Sequence, residues 1–304
     1  MSNIRIFYYT SYPKTGSTFL PSLIDGLSAV VEGYHAERFV FAKSANNIRL
    51  DTPSGGKVFL LKSHHTLERF IQNAAVESQS GPAEIQDQLA LGADNLLTGI
   101  NGVFYTIRNP FATLASAIQY SKLIYPREVN QIRWSKDGRL SRYFIDFLQL
   151  TGVPTPNEFN EFRFLDLPAS HVEDICWRFV EGRGTIPFLE APGEKTYFEH
   201  VNHHQTFLSH NPRSCALTYE SLMQGSLSEL QEIASLFELP VGDLLSALDA
   251  EAANRAQRSG RYKSTFFSNF QVSTPVRISS LPSWPELRAS VLALCPALAT
   301  TLAD

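Results

Sequence analysis

Four apolar runs, rich in β-branched and aromatic residues, alternate with helical patterns along the chain. They cover residues 4–9, 57–65, 101–110 and 215–222. Each run predicts a buried strand, because its composition and length suit a strand with both faces covered. Strands that alternate with helices are typical of a parallel sheet joined by helical crossovers. The pattern therefore predicts an α/β fold with a parallel sheet flanked by helices.

Helices are predicted directly after three of these strands. Apolar residues recur at helical spacing within residues 17–27, and further helical patterns cover 111–124 and 226–240. The stretch 125–200 is rich in aromatic and turn-forming residues with no clear period, and 255–285 is basic and then rich in serine, threonine and phenylalanine. We interpret both as long loops that cover the sheet and not as separate domains.

Composition limits the classes of protein that this chain can belong to. With 304 residues and 43% hydrophobic residues, it can bury a large core, and residues 1–304 are expected to form one domain. A net charge of -4 and a pI near 6.1 argue against a general binder of nucleic acid or anionic membranes. Three cysteines without CxxC spacing are typical of a reducing compartment. Without a signal pattern or a membrane-spanning stretch, the chain is expected to be a soluble cytoplasmic protein.

A short polar turn separates the first predicted strand from the first helix. It contains Lys14, Gly16, Ser17 and Thr18. Backbone N–H groups and the positive end of the helix dipole meet at such a turn, which suits it to phosphate-like anions. The order differs from the GxxxxGK[ST] loop, because Lys14 precedes Gly16. Taken alone, the turn fits either an anion-binding loop or a tight connection with an incidental lysine.

The segment YPKTGSTFL resembles a signature of the sulfotransferases that use 3′-phosphoadenosine 5′-phosphosulfate (PAPS), which reads YPKSGTTWL in that family. There the loop wraps the 5′-phosphosulfate of the donor, and the resemblance implies a P-loop-like parallel sheet. Phe19 stands where the family has a tryptophan that stacks on adenine, so the stacking area is expected to be smaller. The donor-binding residues implied by this segment are Lys14, Thr15, Gly16, Ser17, Thr18 and Phe19.

Three further donor-binding segments of this family have counterparts in the same order. RNPFATLAS, from Arg108 to Ser116, resembles the motif that binds the 3′-phosphate, and LTYESL supplies Tyr219 on the adenine side. The family's RKG clamp on the 3′-phosphate corresponds to RSG here, with Ser259 in place of lysine. This last segment consists of Arg258, Ser259 and Gly260. Without the resemblance, Arg108 could equally cap a helix or pair with a carboxylate.

The segment KSH, residues 62–64, resembles the acid-base segment KTH of the same family. The resemblance implies that His64 is the general base, that Lys62 assists at the transferring group and that Lys14 stabilises the leaving group. Alone, His64 could be a structural histidine. The neighbouring His65 is not expected to act, because adjacent side chains at a strand end point to opposite faces.

The implied activity is transfer of a sulfuryl group from PAPS to a hydroxyl or amine of a small-molecule acceptor, with PAP as the product and no metal requirement. Residues 121–200 are expected to build the acceptor pocket from aromatic and acidic side chains. A P-loop kinase of small molecules would need an acidic residue for Mg²⁺ at a strand end, where this chain has Arg108. A non-catalytic nucleotide-binding module would not need Lys62 and His64 together. The oligomeric state is left open.

Two other patterns in the sequence could indicate metal binding or RNA binding. The histidines at 200, 203 and 204 have a spacing that can bring two imidazoles onto one helical face, but the carboxylate of the HExxH motif is missing. We expect core or acceptor-pocket histidines there. The basic and aromatic run at 255–270 is interpreted as a lid over a nucleotide and not as an RNA-binding surface.

Overall fold

The structure is a computed structural model in which the chain divides into two compact units. The first unit comprises Met1–Ile107 and His204–Ser264, and the second comprises Arg108–His203 and Thr265–Asp304. The structure describes residues 4–41, 44–66, 69–70, 81–90, 99–124, 147, 149–152, 164–186, 195–209, 213–257 and 277–302.

Six strands form the sheet of the first unit: β1 (Ile4–Ser11), β2 (His35–Phe41), β3 (Ser44–Asp51), β4 (Lys57–Ser63), β5 (Gly102–Ile107) and β6 (Ser214–Thr218). Their order across the sheet is β2-β3-β4-β1-β5-β6. β1 pairs in parallel with both β4 and β5, and β5 pairs in parallel with β6. β2 and β3 are antiparallel to their neighbours and extend the sheet beyond β4. The sheet is therefore mixed, with a parallel centre.

The α-helices are α1 (Phe19–Val30), α2 (Ala83–Ala90), α3 (Pro110–Ile124), α4 (Ala169–Glu181), α5 (Tyr197–Ser209), α6 (Tyr219–Met223), α7 (Leu227–Phe237), α8 (Val241–Gln257) and α9 (Trp284–Leu294). Short 3₁₀ helices cover Phe164–Asp166 and Pro296–Leu302. Within the described residues, every helix is too short or too polar to span a bilayer.

Both faces of β1 are buried, which explains its run of apolar residues from Ile6 to Tyr9. Phe7 and Tyr9 point into a core that they share with α1, α7 and α8. Ile6 and Tyr8 point into a second core on the other face, where Tyr8 stacks on Phe70 with ring centroids 4.4 Å apart. Because β1 pairs with β4 on one side and β5 on the other, the loop that follows it emerges from the interior of the sheet and not from an edge.

The second unit packs its described helices around an aromatic cluster. Phe111 of α3 contacts Phe179 of α4 and Trp284 of α9, with ring centroids 6.3 and 5.9 Å apart. Phe179 also lies 5.4 Å from Phe198 of α5. Asn202 ties α5 to α9 through a hydrogen bond from its side-chain amide to the Leu294 carbonyl. The unit is therefore held by side chains from four separate helices.

The predicted α/β class and the four predicted parallel strands are confirmed. Three details of the prediction are wrong. The fourth strand ends at Thr218, and Tyr219 begins α6. Residues 125–200 contain regular helix, since α4 lies within them. The hairpin of β2 and β3 was not predicted, because most β2 side chains are exposed and leave no apolar pattern.

Candidate anion-binding site

The loop at the carboxyl end of β1 is a compact turn held by its own backbone. The Thr15 N–H and hydroxyl both donate to the Tyr12 carbonyl, at 3.2 and 2.6 Å. The Phe19 N–H donates to the Gly16 carbonyl at 2.8 Å, which closes the turn at the first residue of α1. The N–H groups of Thr15 and Phe19 are therefore hydrogen-bonded within the loop itself. The first turn of a helix that follows such a loop presents backbone N–H groups and the positive end of the helix dipole, and both favour binding of an anion.

Two residues of this loop have left-handed backbone conformations. Lys14 has a φ of 72° and Gly16 a φ of 94°. For the lysine this conformation costs about 1–2 kcal/mol, a cost that is often found at functional sites. At Gly16 a Cβ atom would lie only 2.1 Å from Cδ2 of Tyr219. The loop therefore requires glycine at this position, both for its backbone angle and for the contact with Tyr219.

A buried hydroxyl pair fixes the loop to the sheet. The Tyr9 hydroxyl donates to the Gly16 carbonyl at 3.1 Å and lies 2.9 Å from Oγ1 of Thr106 on β5. Since the carbonyl can only accept, Thr106 supplies the proton of the second bond. Burial raises the pKa of Tyr9, so its hydroxyl keeps the proton that it donates. The loop is thus anchored to both β1 and β5.

We expect Gly16→Ala to destabilise the first unit more than Gly55→Ala, which provides a matched control. Gly55 also has a positive φ, 79°, but a Cβ there would meet nothing within 4 Å. The control should lose about 1–2 kcal/mol from backbone strain alone. Gly16→Ala should lose roughly a further 1–3 kcal/mol by overpacking against Tyr219. Chemical denaturation of both variants measures the difference, and equal losses would contradict the close contact.

Lys62 lies near the carboxyl end of β4, beside β1, the strand that leads into the loop. It pairs with Tyr9 in the parallel register of β4 and β1, and it is only 5% exposed. Burial, with a smaller effect from the charge of Arg38, lowers the pKa of Lys62 to about 8. Among the described residues no carboxylate pairs with its ammonium group. A buried cation without a protein counterion is well suited to an anionic ligand.

His64 follows β4 and contacts the last residue of β1. Its Nδ1 lies 2.9 Å from the Ser11 carbonyl oxygen, so Nδ1–H is the donor and Nε2 holds the lone pair. The pKa of His64 is lowered to about 4, mainly by burial and to a smaller extent by the charges of Lys62 and Lys14, while the hydrogen bond to Ser11 raises it in part. His64 is therefore a neutral imidazole at pH 7, under the influence of two cations.

The chain after β4 is anchored through the backbone of His65. The His65 carbonyl accepts hydrogen bonds from the Tyr8 hydroxyl at 2.8 Å and from Thr10 Oγ1 at 2.7 Å, and its N–H donates to Ser63 Oγ. These bonds hold the backbone next to His64 against β1. His64 is therefore positioned by the hydrogen bond from its ring to Ser11 and by the hydrogen bonds of the neighbouring His65 backbone.

Arg108 and Ser116 belong to the second unit, where their segment opens α3. The Asn109 side-chain oxygen accepts from the N–H groups of Phe111 and Ala112 at 3.0 and 3.1 Å, which caps the helix. Arg108 is 4% exposed, and its carbonyl accepts a hydrogen bond from the Tyr197 hydroxyl. Ser116 is half-buried on α3. The helix-opening role of the RNP segment is thus present, while the assignment to the 3′-phosphate stays a prediction.

The remaining predicted donor residues differ in their surroundings. Phe19 is buried in the core of the first unit, and Tyr219 packs on Gly16. Ser17 is buried, and Thr18 is exposed at the start of α1. The segment Arg258, Ser259 and Gly260 lies outside the described residues. Adenine stacking by Phe19 stays a prediction.

Two further predictions concern the histidines of α5 and the acceptor pocket. Within the described residues no cluster of three or more histidine, cysteine or acidic side chains could hold a metal ion. His204 instead stacks on Tyr105, with ring centroids 4.3 Å apart. Asp174 and Trp177, an acidic and an aromatic residue of the stretch 121–200 that is expected to build the acceptor pocket, line an open surface depression of about 580 Å³ on α4 together with Arg178 and Glu181. Trp134, a further aromatic residue of the predicted pocket, lies outside the described residues.

Comparisons with known proteins show a distant likeness to solved structures. No family model matches the chain, and no curated protein matches it. Among solved structures the chain is similar to a mouse sulfotransferase, SULT7A1, crystallised as a complex with PAP. The two are 13% identical with a TM-score of 0.42, over 83% of this chain and 67% of that one. The α/β architecture described above rests on strand order and register.

Proposed function

We propose that this protein transfers the sulfuryl group of PAPS to a hydroxyl or amine of a small molecule and releases PAP. One observation carries the proposal: a neutral imidazole, His64, is held beside an anion-suited loop and lies within the electrostatic influence of Lys14 and Lys62. Among the described residues Lys62 has no carboxylate partner and so suits an anionic donor, and a neutral imidazole suits removal of a proton from an acceptor.

The loop and the two lysines have the donor-binding role in this proposal. Lys14, Ser17 and the N–H groups at the start of α1 hold the phosphosulfate end, and Lys62 neutralises charge at the transferring group. The donor supplies an electrophilic sulfur and a phosphate leaving group. Arg108, Ser116, Tyr219 and the segment Arg258, Ser259 and Gly260 retain the nucleotide-binding roles that the sequence resemblance implies.

His64 has the proton-accepting role. As the acceptor oxygen or nitrogen bonds to sulfur, the bond from sulfur to the phosphate oxygen breaks, and the acceptor proton passes to Nε2 of His64. The bond from Nδ1–H to the Ser11 carbonyl supports this role, because it orients the ring and stabilises the imidazolium that forms. Lys14 stabilises the negative charge that develops on the leaving phosphate.

The experiment that tests the proposal is incubation of purified protein with radiolabelled PAPS and a panel of alcohols, phenols and amines. We expect label to move to at least one acceptor, with stoichiometric release of PAP. A parallel reaction with labelled ATP and Mg²⁺ distinguishes a kinase. Phosphoryl transfer from ATP without sulfuryl transfer would overturn the proposal, as would tight binding of PAP with no turnover on any acceptor.

The pH dependence of kcat/KM should follow His64 and Lys62 in the free enzyme. Because the pKa of His64 is lowered to about 4, the rate should fall only when the pH drops through about 4. Because Lys62 has a pKa of about 8, the rate should fall again above about pH 8, as its charge is lost. A bound anion favours charged Lys62, so the alkaline limb of kcat should lie higher. Steady-state rates with an acceptor that does not titrate in this range measure both limbs, and an acid limb near 6.5 would contradict the buried state of His64.

A further inference from the structure

Asn47 of β3 connects three neighbouring segments of the sheet through its buried side chain. Its Oδ1 accepts a hydrogen bond from the Lys62 N–H at 2.9 Å. Its Nδ2 donates to the carbonyls of Ser44 and Phe41, at 2.6 and 3.1 Å, and lies 3.4 Å from the Phe39 carbonyl. The side chain is fully buried, and both ends of the amide are used. Nothing in the sequence pattern marks this residue.

The amide lies where the backbone pairing of the sheet is interrupted. Residue pairs between β3 and β4 run from Asp51 with Lys57 to Ile48 with Leu60 and stop there. On the other side, the pairing of β2 and β3 shifts register between Phe39 and Phe41. Asn47 supplies hydrogen bonds at both irregularities, so its side chain replaces pairing that the backbone does not make.

We propose that Asn47 is a positioning residue for the reaction proposed above: by holding the Lys62 peptide, it fixes the Lys62 ammonium and, two residues further on, the His64 imidazole. This inference rests on the proposed function for its catalytic meaning. Asn47 touches neither reacting group with its own side chain. It acts on the carboxyl end of β4, which otherwise lacks a β3 partner beyond Leu60.

The surroundings of Lys62 make its position measurable. Among described residues, Arg38 of β2, which pairs with Asp25 of α1, is the charged group that lowers the Lys62 pKa after burial. Tyr9 of β1 lies opposite in the register, and neutral His64 follows β4. If the end of β4 loosens, the ammonium gains water and its pKa rises from about 8 towards the ordinary value for lysine.

A matched control exists at the opposite end of the same strand pair. Thr52 is buried beyond the end of β3, and its hydroxyl both donates to the Gly56 carbonyl and accepts from the Gly56 N–H, each at 3.1 Å. Thr52→Val removes these bonds with little change of shape. It therefore weakens the connection of β3 to β4 far from Lys62, and it separates a loss of stability from a loss of positioning.

The test is NMR titration of the protein with ¹³C-labelled lysine, with the Lys62 signal assigned from Lys62→Arg. We expect the Lys62 pKa to be about one unit or more higher in Asn47→Ala than in the unaltered protein, and unchanged in Thr52→Val. Equal Lys62 pKa values in all three proteins would overturn the proposal. If Asn47→Ala does not fold, amide hydrogen exchange of the unaltered protein decides. The Lys62 N–H should be as protected as that of Leu60, and rapid exchange would overturn it.

Kinetics add the catalytic readout and separate this inference from the proposed function. In an active enzyme, Asn47→Ala should lower kcat more than Thr52→Val and move the alkaline limb of kcat/KM upwards. Unmoved kcat and pH limb in a folded Asn47→Ala protein would overturn the catalytic part. If the unaltered protein transfers no sulfuryl group, the proposed function fails, while the NMR titration still determines whether Asn47 positions Lys62.

Discussion

Replacing His64 by alanine is expected to lower kcat by about 10²–10⁴-fold while donor affinity stays nearly unchanged, because a positioned general base contributes that order of rate. The imidazole is neutral, and its Nδ1–H bond to the Ser11 carbonyl leaves Nε2 as the proton acceptor. Alcohols should show the largest loss, since their hydroxyl protons are least acidic. Single-turnover rates together with calorimetric titration of PAP measure the two effects separately.

Two variants determine whether the loss comes from the base or from its surroundings. In His64→Asn the amide can still donate to the Ser11 carbonyl but cannot accept the proton, so it should be as slow as His64→Ala. His65→Ala should have a much smaller effect, because the His65 contacts described above come from its backbone, which alanine keeps. A near-normal kcat in His64→Ala with every active acceptor would remove His64 from the mechanism.

The parallel centre of the sheet could be predicted because its strands are buried on both faces. β1, β4 and β5 each contain an apolar run, and each run is followed by polar or charged residues. The turn at Lys14 and Gly16 could also be found, since it is a short polar segment between a buried strand and an apolar helix, and the resemblance then indicates an anion-binding loop. Each of these signals lies within a short segment of the chain, so a single sequence is enough to detect it.

The features of the fold and the site that could not be predicted depend on contacts between residues that are distant in sequence. The β2 strand lies at the sheet edge with mostly exposed side chains, so its composition resembles a loop. The Ser11 carbonyl was not foreseen as the partner of His64, and the bond from Tyr9 to Gly16 and Thr106 needs two strands to be adjacent. A tyrosine in an apolar strand looks the same whether its hydroxyl anchors a loop or meets water.

Asn47 illustrates the same limit more sharply. It lies among other polar residues in a segment that reads as a turn, and its role depends on a register irregularity in β2 and on the end of the β3 ladder. Neither irregularity follows from residue pattern, because both result from how strands meet. Lys62 at the end of β4 and His64 after it could be selected by resemblance, whereas Asn47, which is proposed to hold them in place, could not.

Arg108→Ala should weaken binding of 3′,5′-diphosphoadenosine by roughly 10- to 150-fold, equivalent to about 1.5–3 kcal/mol for a hydrogen bond to a charged group. Two contacts of this segment survive the substitution, because the Tyr197 hydroxyl bonds to the Arg108 carbonyl, which alanine retains, and Asn109 still caps α3. Binding of 5′-AMP, which lacks the 3′-phosphate, should change little. Calorimetry with the two nucleotides therefore tests the assignment of Arg108 directly.

Two controls separate phosphate recognition from general damage to the second unit. Arg108→Lys keeps the charge but loses the planar fork, so it should recover part of the affinity for the 3′-phosphorylated nucleotide and none of the bidentate geometry. Arg178→Ala removes an arginine of α4 that donates to the Gln149 carbonyl, and it should leave both affinities unchanged. An equal loss for the two nucleotides in Arg108→Ala would show that Arg108 supports the fold and does not read the 3′-phosphate. The donor would then have to be distinguished from ordinary adenine nucleotides by other residues.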